Sequence, residues 1–463
     1  MDGIFRYGKS IATSLTIALL ALGGRYGQSW FFTSVEDPQA TSDVVLLDKY
    51  AQTSRSHSPM RSLTSDGRPN WKIAIVTDGA LAAARSLNEN TNDTGPAKSL
   101  AQDAIYATPS ATFGFADVTL PIDRRRGECP LNSSSANQVI VNAPEYSANK
   151  QFYAALGAHT DNAEAKDVFV FVHGFNVTTD HALGQAAQLA EDMPFHGVVV
   201  TFSWRSVGRS GAYLTDEVQA ERYFWNLAEL LANLRSQLKE DVRLHVMAHS
   251  MGNRVTLRAL NALTGTLGPT GLPIDPLVAA QLSRFGNGQL VERRERITAM
   301  MLPARPNRNS FQTVGLHGMD EIIIRFPQWG TWSESQLSSP PLTSLILAAP
   351  DVDAQEFGML VGNIVHVAGS MIRYASDTDQ ALKVSQEVHG GAYRAGDSRA
   401  QIAVAGLQTV CVSGVSTNDP LGHSYCGSNP AVLTQLARLF RPPVQPTISL
   451  GTIAREQSDG TSR

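Results

Sequence analysis

The spacing of apolar residues changes along the chain, and the change marks how it is organised. From residue 167 onward, short unbroken apolar runs alternate with longer segments whose apolar residues recur every three or four positions. Val168-Phe-Val-Phe-Val172 has no polar face, as expected of a parallel strand covered on both sides. Residues 197–203 and 244–248 are two further runs of this kind. Between them, 178–193 reads as a helix and 214–239 as a longer one, with Phe224, Leu227, Leu231, Leu234 and Leu238 on one stripe. A helix follows the third run, with Val255, Ala259, Leu260 and Leu263 at helical spacing. The alternation stops from about 264 to 341. It then resumes as strand 342–349, helix 354–368, strand 370–375, helix 380–388, strand 408–413 and helix 431–440, the last with Pro430 at its start. Such alternation predicts an α/β protein whose mostly parallel central sheet is flanked by helices through right-handed crossovers.

The rest of the chain is patterned more weakly. Residues 71–77 and 113–121 are candidate strands. Residues 34–69 are rich in Ser, Thr, Asp and Arg without an apolar period, so 34–103 reads as a linker or low-order region with one strand in it. The domain itself is placed at 104–440. The break at 264–341 is too long for a structureless core loop and reads as an insertion. It leaves the sheet beside the third run's helix, where it would form a lid-like region. Residues 441–463 form a polar tail. Near the start, Arg6 and Lys9 precede an apolar stretch at 11–22, long enough for a signal h-region but short for a membrane span. No Ala-x-Ala cleavage site follows, and Trp30, Phe31 and Phe32 would suit a membrane interface. Segment 1–33 is therefore expected to export the chain or anchor it to the membrane of the cell envelope.

Composition narrows the function classes. A hydrophobic fraction of 43% and a charged fraction of 17% over 463 residues fit a globular protein with a large core. A net charge of -4 argues against a nucleic-acid partner. No zinc-type cysteine pair, phosphate loop or dinucleotide fingerprint is present, so no metal and no organic cofactor is implied. Arg124-Arg125-Arg126 reads as a solvated loop.

The candidate chemistry lies at the end of the third run, in Ala248-His-Ser-Met-Gly252. A buried strand, a tight turn with serine at its tip, and a helix make the layout of a nucleophile elbow. Gly252 supplies one of the small flanking residues and Ala248 the other. The free N–H groups of the helix start favour negative charge beside Ser250. Taken alone, Ser250 could equally be a helix N-cap. A serine nucleophile needs a base, and in this layout the chain order is serine, acid, histidine. His423 is the one histidine beyond the strand at 408–413. His249 adjoins Ser250, and side chains of neighbouring residues on such a turn diverge. Four acids follow two of the strands: Asp351 and Asp353, and Asp377 and Asp379. Each pair could instead cap the next helix. Oxyanion donors would be the backbone N–H of Met251 and that of Phe175 or Asn176, with Gly174 allowing close approach.

Several blocks in order are similar to a known family. Val170-Phe-Val-His-Gly-Phe-Asn176, Phe202-Ser-Trp-Arg205, Ala248-His-Ser-Met-Gly-Asn253, Leu347-Ala-Ala-Pro-Asp-Val-Asp353, Tyr374-Ala-Ser-Asp-Thr-Asp379 and Gly422-His-Ser-Tyr425 resemble bacterial esterase/lipase-like α/β-hydrolases of largely unassigned substrate. The resemblance runs from about 104 to 440, outside the insertion. It implies the α/β-hydrolase fold, Ser250 as nucleophile, His423 as base and Asp379 as acid, with Asp351 as the alternative acid. The implied substrate is a small-molecule or lipid ester, cleaved through an acyl-enzyme. An acyltransferase with the same triad, or a non-catalytic envelope binding protein, are the rivals. Arg205 stands where the family often has proline. Cys411 and Cys426 bracket the loop carrying His423, and an oxidising compartment would allow them to bridge; the alternative is two free thiols.

Overall fold

The three apolar runs at 168–172, 197–203 and 244–248 become the centre of one sheet. In the computed structural model, residues 56–79, 111–130, 138–265, 340–415, 417 and 419–440 are described. Their strands are β1 (Arg61–Leu63), β2 (Pro69–Asp78), β3 (Ala111–Thr119), β4 (Ile140–Val141), β5 (Glu145–Ser147), β6 (Asp167–Val172), β7 (Val198–Ser203), β8 (Arg243–His249), β9 (Leu342–Ala348), β10 (Ala368–Ala375) and β11 (Leu407–Cys411). The spatial order is β11-β10-β9-β8-β6-β7-β2-β3-β4, with β1 also on β2 and β5 also on β3. Pairing is parallel from β11 to β2 and antiparallel beyond.

Every residue of β6 is buried because the strand has a core on each side. Val168, Val170 and Val172 face one cluster and Phe169 and Phe171 the other. The first cluster takes α1 (Asn149–Asp161), α3 (Tyr213–Gln237), α4 (Gly252–Leu263) and α5 (Ala354–Asn363), through Phe152, Leu227, Leu260 and Phe357 among others. The second takes α2 (Thr179–Asp192), α6 (Gln380–Val388) and α7 (Pro430–Leu439), through Leu183, Leu382 and Leu433. Each such side chain stabilises the fold by roughly 1.5–3 kcal/mol on burial, so a two-faced strand contributes about twice what a half-buried one does. Register then sets the functional edge. Val172 lies opposite Ala248, His249 opposite Ala348, and Tyr374 opposite Ala348. Residues 173, 250, 349 and 376 consequently leave the sheet side by side, at the carboxyl ends of parallel strands.

Several expectations need correction. The domain does not begin at 104, because β2 lies inside the sheet between β7 and β3. Nor are residues 56–69 a linker: Ser56, Ser58 and Met60 are buried, and Ser58 Oγ donates to Gly197 O at 2.6 Å. The helix expected at 354–368 ends at Asn363, after Gly362, a poor helix former, and β10 starts at Ala368. Helix α1 went unpredicted: Ala148 gives it no side-chain cap, and its apolar stripe is thinned by Ala, Gly and Thr. The arginine triplet is not simply solvated. Arg124 is paired with buried Asp192, while Arg126 Nε donates to Asp192 O at 3.0 Å and its Nη1 to Thr434 Oγ1 at 2.8 Å. The three cysteines are free. Cys411 is exposed on edge strand β11 and Cys426 is buried in the core, and no bridge joins the two. Segment 1–33, nearly all of 264–341 and the tail at 441–463 lie outside the described residues. Among the described residues no helix is long and apolar enough to cross a membrane.

Candidate active site

Ser250 sits where β8 ends and α4 begins, 5% exposed, with a backbone φ of 55°. That left-handed conformation is costly for a side chain bearing Cβ, and it recurs at the neighbouring strand ends, in Asn176 (φ 58°) and Ala349 (φ 45°). The turn is held from beneath. Ser250 N–H donates to Ala348 O at 2.9 Å, and Asn253 Nδ2 donates to Ser250 O at 2.9 Å and Ala348 O at 3.0 Å. Two glycines permit the packing. A Cβ at 252 would lie 2.4 Å from His173 O, and one at 174 would lie 2.8 Å from Ser250 Cβ. The loop after β6 is thereby pressed onto the serine.

Asp379 and His423 meet on the next strand ends. His423 Nδ1–H donates to Asp379 Oδ2 at 2.6 Å. The other carboxylate oxygen of Asp379 caps α6, accepting from Leu382 N–H at 3.1 Å. Asp419 fixes the backbone of the histidine loop: its carboxylate accepts from His423 N–H at 3.0 Å and from Ser424 N–H at 2.8 Å. Burial alone would push the imidazole down, but the Asp379 carboxylate beside it, helped by Asp419, holds its pKa up at about 9. Among the described residues, His423 Nε2 and Ser250 Oγ have no hydrogen-bond partner, so both atoms are open.

His249 has a contact the sequence reading did not foresee. Its ring packs 4.8 Å from the His423 ring and its Nε2–H donates to His423 O at 3.2 Å. Burial pushes its pKa down to about 3, so it stays neutral and acts as a prop for the histidine loop.

The acid alternatives separate clearly. Asp351 is buried and fully engaged elsewhere: Arg394 Nε donates to it at 2.9 Å, Ser385 Oγ at 2.6 Å and Tyr213 OH at 2.7 Å. Burial pushes its carboxyl up, and these partners more than offset that, holding it below the usual carboxylate range. It does not reach His423 with a hydrogen bond. Asp353 caps α5 through Gln355 N–H at 2.9 Å and Glu356 N–H at 3.0 Å.

One oxyanion candidate is otherwise occupied. Asn176 N–H donates to buried Asp216 at 3.2 Å, so it is not available to substrate. Among the described residues, the N–H groups of Phe175 and Met251 donate to no acceptor. Asp216, at the start of α3, also takes Val207 N–H at 2.7 Å and the Ser206 hydroxyl, tying the loops after β6 and β7 together. His173 is buried, stacked at 5.1 Å on Trp204, whose Nε1–H donates to His173 O at 2.8 Å. Burial pushes its pKa down to about 4, which suits a structural ring. Arg205, in the place of the family proline, pairs with buried Asp78, to which Tyr223 OH donates at 2.6 Å. Asp216, Asp419 and Arg394 went unnoticed in the sequence because each sits in an ordinary polar context. Asp419, four residues before His423, is the one with a local signal, an Asp-Pro pair opening a turn that Gly422 closes.

Residues 148–271 and 316–439 match the model of a family described as "Alpha/beta hydrolase of unknown function (DUF900)". The interval between the two segments falls within the expected insertion. Among solved structures, the chain is similar to esterase 2 of Thermogutta terrifontis phosphoramylated by tabun, at 9% identity and TM-score 0.27, covering 72% of this chain and 91% of that one. It is also similar to a truncated carbohydrate esterase from gut microbiota, at 8% identity and TM-score 0.27, covering 70% of this chain and 89% of that one. No curated protein matches the chain.

Proposed function

The chain belongs to the α/β-hydrolase family whose model spans more than half of it, and from that premise we propose that it cleaves carboxylic esters through an acyl-enzyme. Ser250 is the nucleophile, His423 the base and Asp379 the orienting acid. One observation carries the reading: His423 donates through Nδ1 to Asp379 at 2.6 Å while its Nε2 stays open, on the same sheet edge as a serine with a φ of 55°. Asp379 fixes the tautomer that leaves a lone pair on Nε2. That nitrogen takes the Ser250 proton as Oγ bonds to the acyl carbon. The carbonyl oxygen becomes an oxyanion facing the free N–H groups of Met251 and Phe175. Collapse breaks the ester C–O bond, and His423 returns the proton to the departing alcohol. Water then repeats the sequence on the acyl-enzyme, releasing the acid and freeing Ser250.

A panel of p-nitrophenyl esters of graded chain length, run beside a fluorophosphonate probe, tests this. The expected result is ester turnover in the wild-type protein and a single label on Ser250. A folded protein that neither labels nor turns over any ester would overturn the reading. The apolar segment at 11–22 supports an enzyme of the cell envelope acting on small or lipid esters; recovery of the full chain solely in the soluble cytoplasmic fraction would remove that part.

A further inference from the structure

At the opposite end of the sheet from Ser250, three side chains remote in sequence converge. His57 Nδ1 and His196 Nδ1 each lie 3.0 Å from Glu164 Oε2, and the ligand atoms of the three residues all fall within 4.8 Å of one another. The rings of the two histidines meet edge to face, 5.4 Å apart. Glu164 precedes β6 and His196 precedes β7, so the cluster stands at the amino ends of the central strands. We propose that His57, Glu164 and His196 form a binding site for a zinc-class divalent ion, separate from the hydrolytic centre, that fastens the segment before β1 to the sheet.

The donor set fits such an ion. Two imidazoles and a carboxylate are ligands for a borderline cation, whereas magnesium and calcium prefer all-oxygen sites. Bonds of about 2.0–2.1 Å in a tetrahedron place ligand atoms roughly 3.3 Å apart. The nitrogen-to-oxygen separations of 3.0 Å need only a few tenths of an ångström of opening. Three protein ligands leave a fourth position for water. The side chains are 70%, 61% and 32% exposed for His57, Glu164 and His196, so an ion can enter from solution.

The backbone around the ligands is already fixed. Ser58 Oγ donates to Gly197 O at 2.6 Å, and Ser56 Oγ donates to Phe195 O. The residues flanking His57 are thus bonded to the residues flanking His196, one pair on each side. Phe195 is itself buried in the core. Little ordering remains to be done on binding, which favours affinity.

The test uses untagged full-length protein freed of metal with a chelator, titrated with zinc chloride against a chromophoric competitor, and melted with and without the ion. One equivalent should bind and raise the melting temperature, and magnesium should do neither. His57→Ala, His196→Ala and Glu164→Gln should each weaken zinc binding by about 10-fold or more, since loss of a supporting contact alone costs that much. Each variant's melting curve in chelator supplies the control for folding, and the exposure of these side chains makes loss of fold a poor explanation. Cobalt in place of zinc should give visible d–d absorption that disappears in the double histidine variant. Absence of saturable binding, or binding unchanged in all three variants, would overturn the proposal; the second outcome would place the ion elsewhere.

Discussion

Two turns at the carboxyl ends of neighbouring strands have almost the same sequence and different work. After β9 comes Asp351-Val-Asp353, and after β10 comes Asp377-Thr-Asp379. In each, the second aspartate caps the helix that follows. They part in what the remaining oxygens do. Asp353 gives one oxygen to both N–H groups of its helix, and among the described residues no second acceptor role is added. Asp379 divides its oxygens, one to the cap at 3.1 Å and one to His423 at 2.6 Å. The first aspartates differ as well: Asp351 is sealed in with Arg394, Ser385 and Tyr213, whereas Asp377 N–H donates to Ser413 Oγ at 3.1 Å. An Asp-x-Asp turn is thus a reusable cap, and which loop packs over it decides whether it also orients a base.

The largest effects should come from removing the groups that this orientation serves. Ser250→Ala and His423→Ala should each lower kcat by roughly 10,000-fold to a millionfold, and the double variant should be little worse, because the groups act as a unit. Losses that multiply would separate the two residues. Asp379→Asn should cost about 10,000-fold, through the wrong histidine tautomer. It should also change the pH profile. The His423 pKa is held up at about 9 by Asp379 against the pull of burial. The base works only when neutral, so kcat/KM of the wild type should climb with pH on a limb displaced toward 9. In Asp379→Asn the residual activity should titrate at lower pH, since burial is then less opposed. Stability runs the other way: a raised imidazole pKa stabilises the fold at low pH, and that contribution is lost as pH rises through about 9. An identical limb in both proteins would break the assignment of Asp379.

Asp351→Asn should reverse the pattern, costing stability more than rate. Asparagine leaves Arg394 buried beside a neutral partner, a change of about 3–5 kcal/mol when one member of a buried pair is removed. Denaturant midpoints should fall accordingly. In the wild type this carboxylate is held below the usual range, so its stabilisation is present above pH ~4 and lost as pH falls further. A normal melting curve with lost activity would instead return Asp351 to the catalytic group.

Most of the parallel sheet was legible because its strands are apolar on both faces and its long helices carry clear stripes. Strands β6, β7 and β8 and helix α6 lie within a residue or two of their expected bounds. The elbow was legible for a related reason: a strand, a turn and a helix meet with Ser250 between small residues. What the sequence hid depends on contacts between distant segments. The choice among Asp351, Asp353, Asp377 and Asp379 turns on which one the loop at 419–424 covers, and no local pattern carries that. The loss of Asn176 as an oxyanion donor follows from Asp216 on α3, which reaches its N–H from another element. Strands β4 and β5 span two and three residues, too short for any period to show.

The smallest expected effect tests the cap that the two turns share. Asp353 Oδ1 accepts from the N–H groups of Gln355 and Glu356 at 2.9 and 3.0 Å, satisfying two donors that α5 cannot pair internally. Asp353→Ala removes that acceptor and the negative charge at the helix start, at a cost of about 0.5–2 kcal/mol. In a domain of this size that is a fall in melting temperature of about 2–4 °C per kcal/mol. The ester rate should hold, because nothing joins the side chain of Asp353 to His423. Asp353→Asn should recover most of the melting temperature, since asparagine caps nearly as well. The matching change in the other turn, Asp379→Ala, should lower the melting temperature further, since it removes the partner of His423 as well as a cap, while abolishing turnover. A collapse of activity in Asp353→Ala at unchanged melting temperature would mean that the two turns are not divided into a cap and a cap-plus-acid, and that the β9 turn reaches the chemistry by a route other than the hydrogen bonds described.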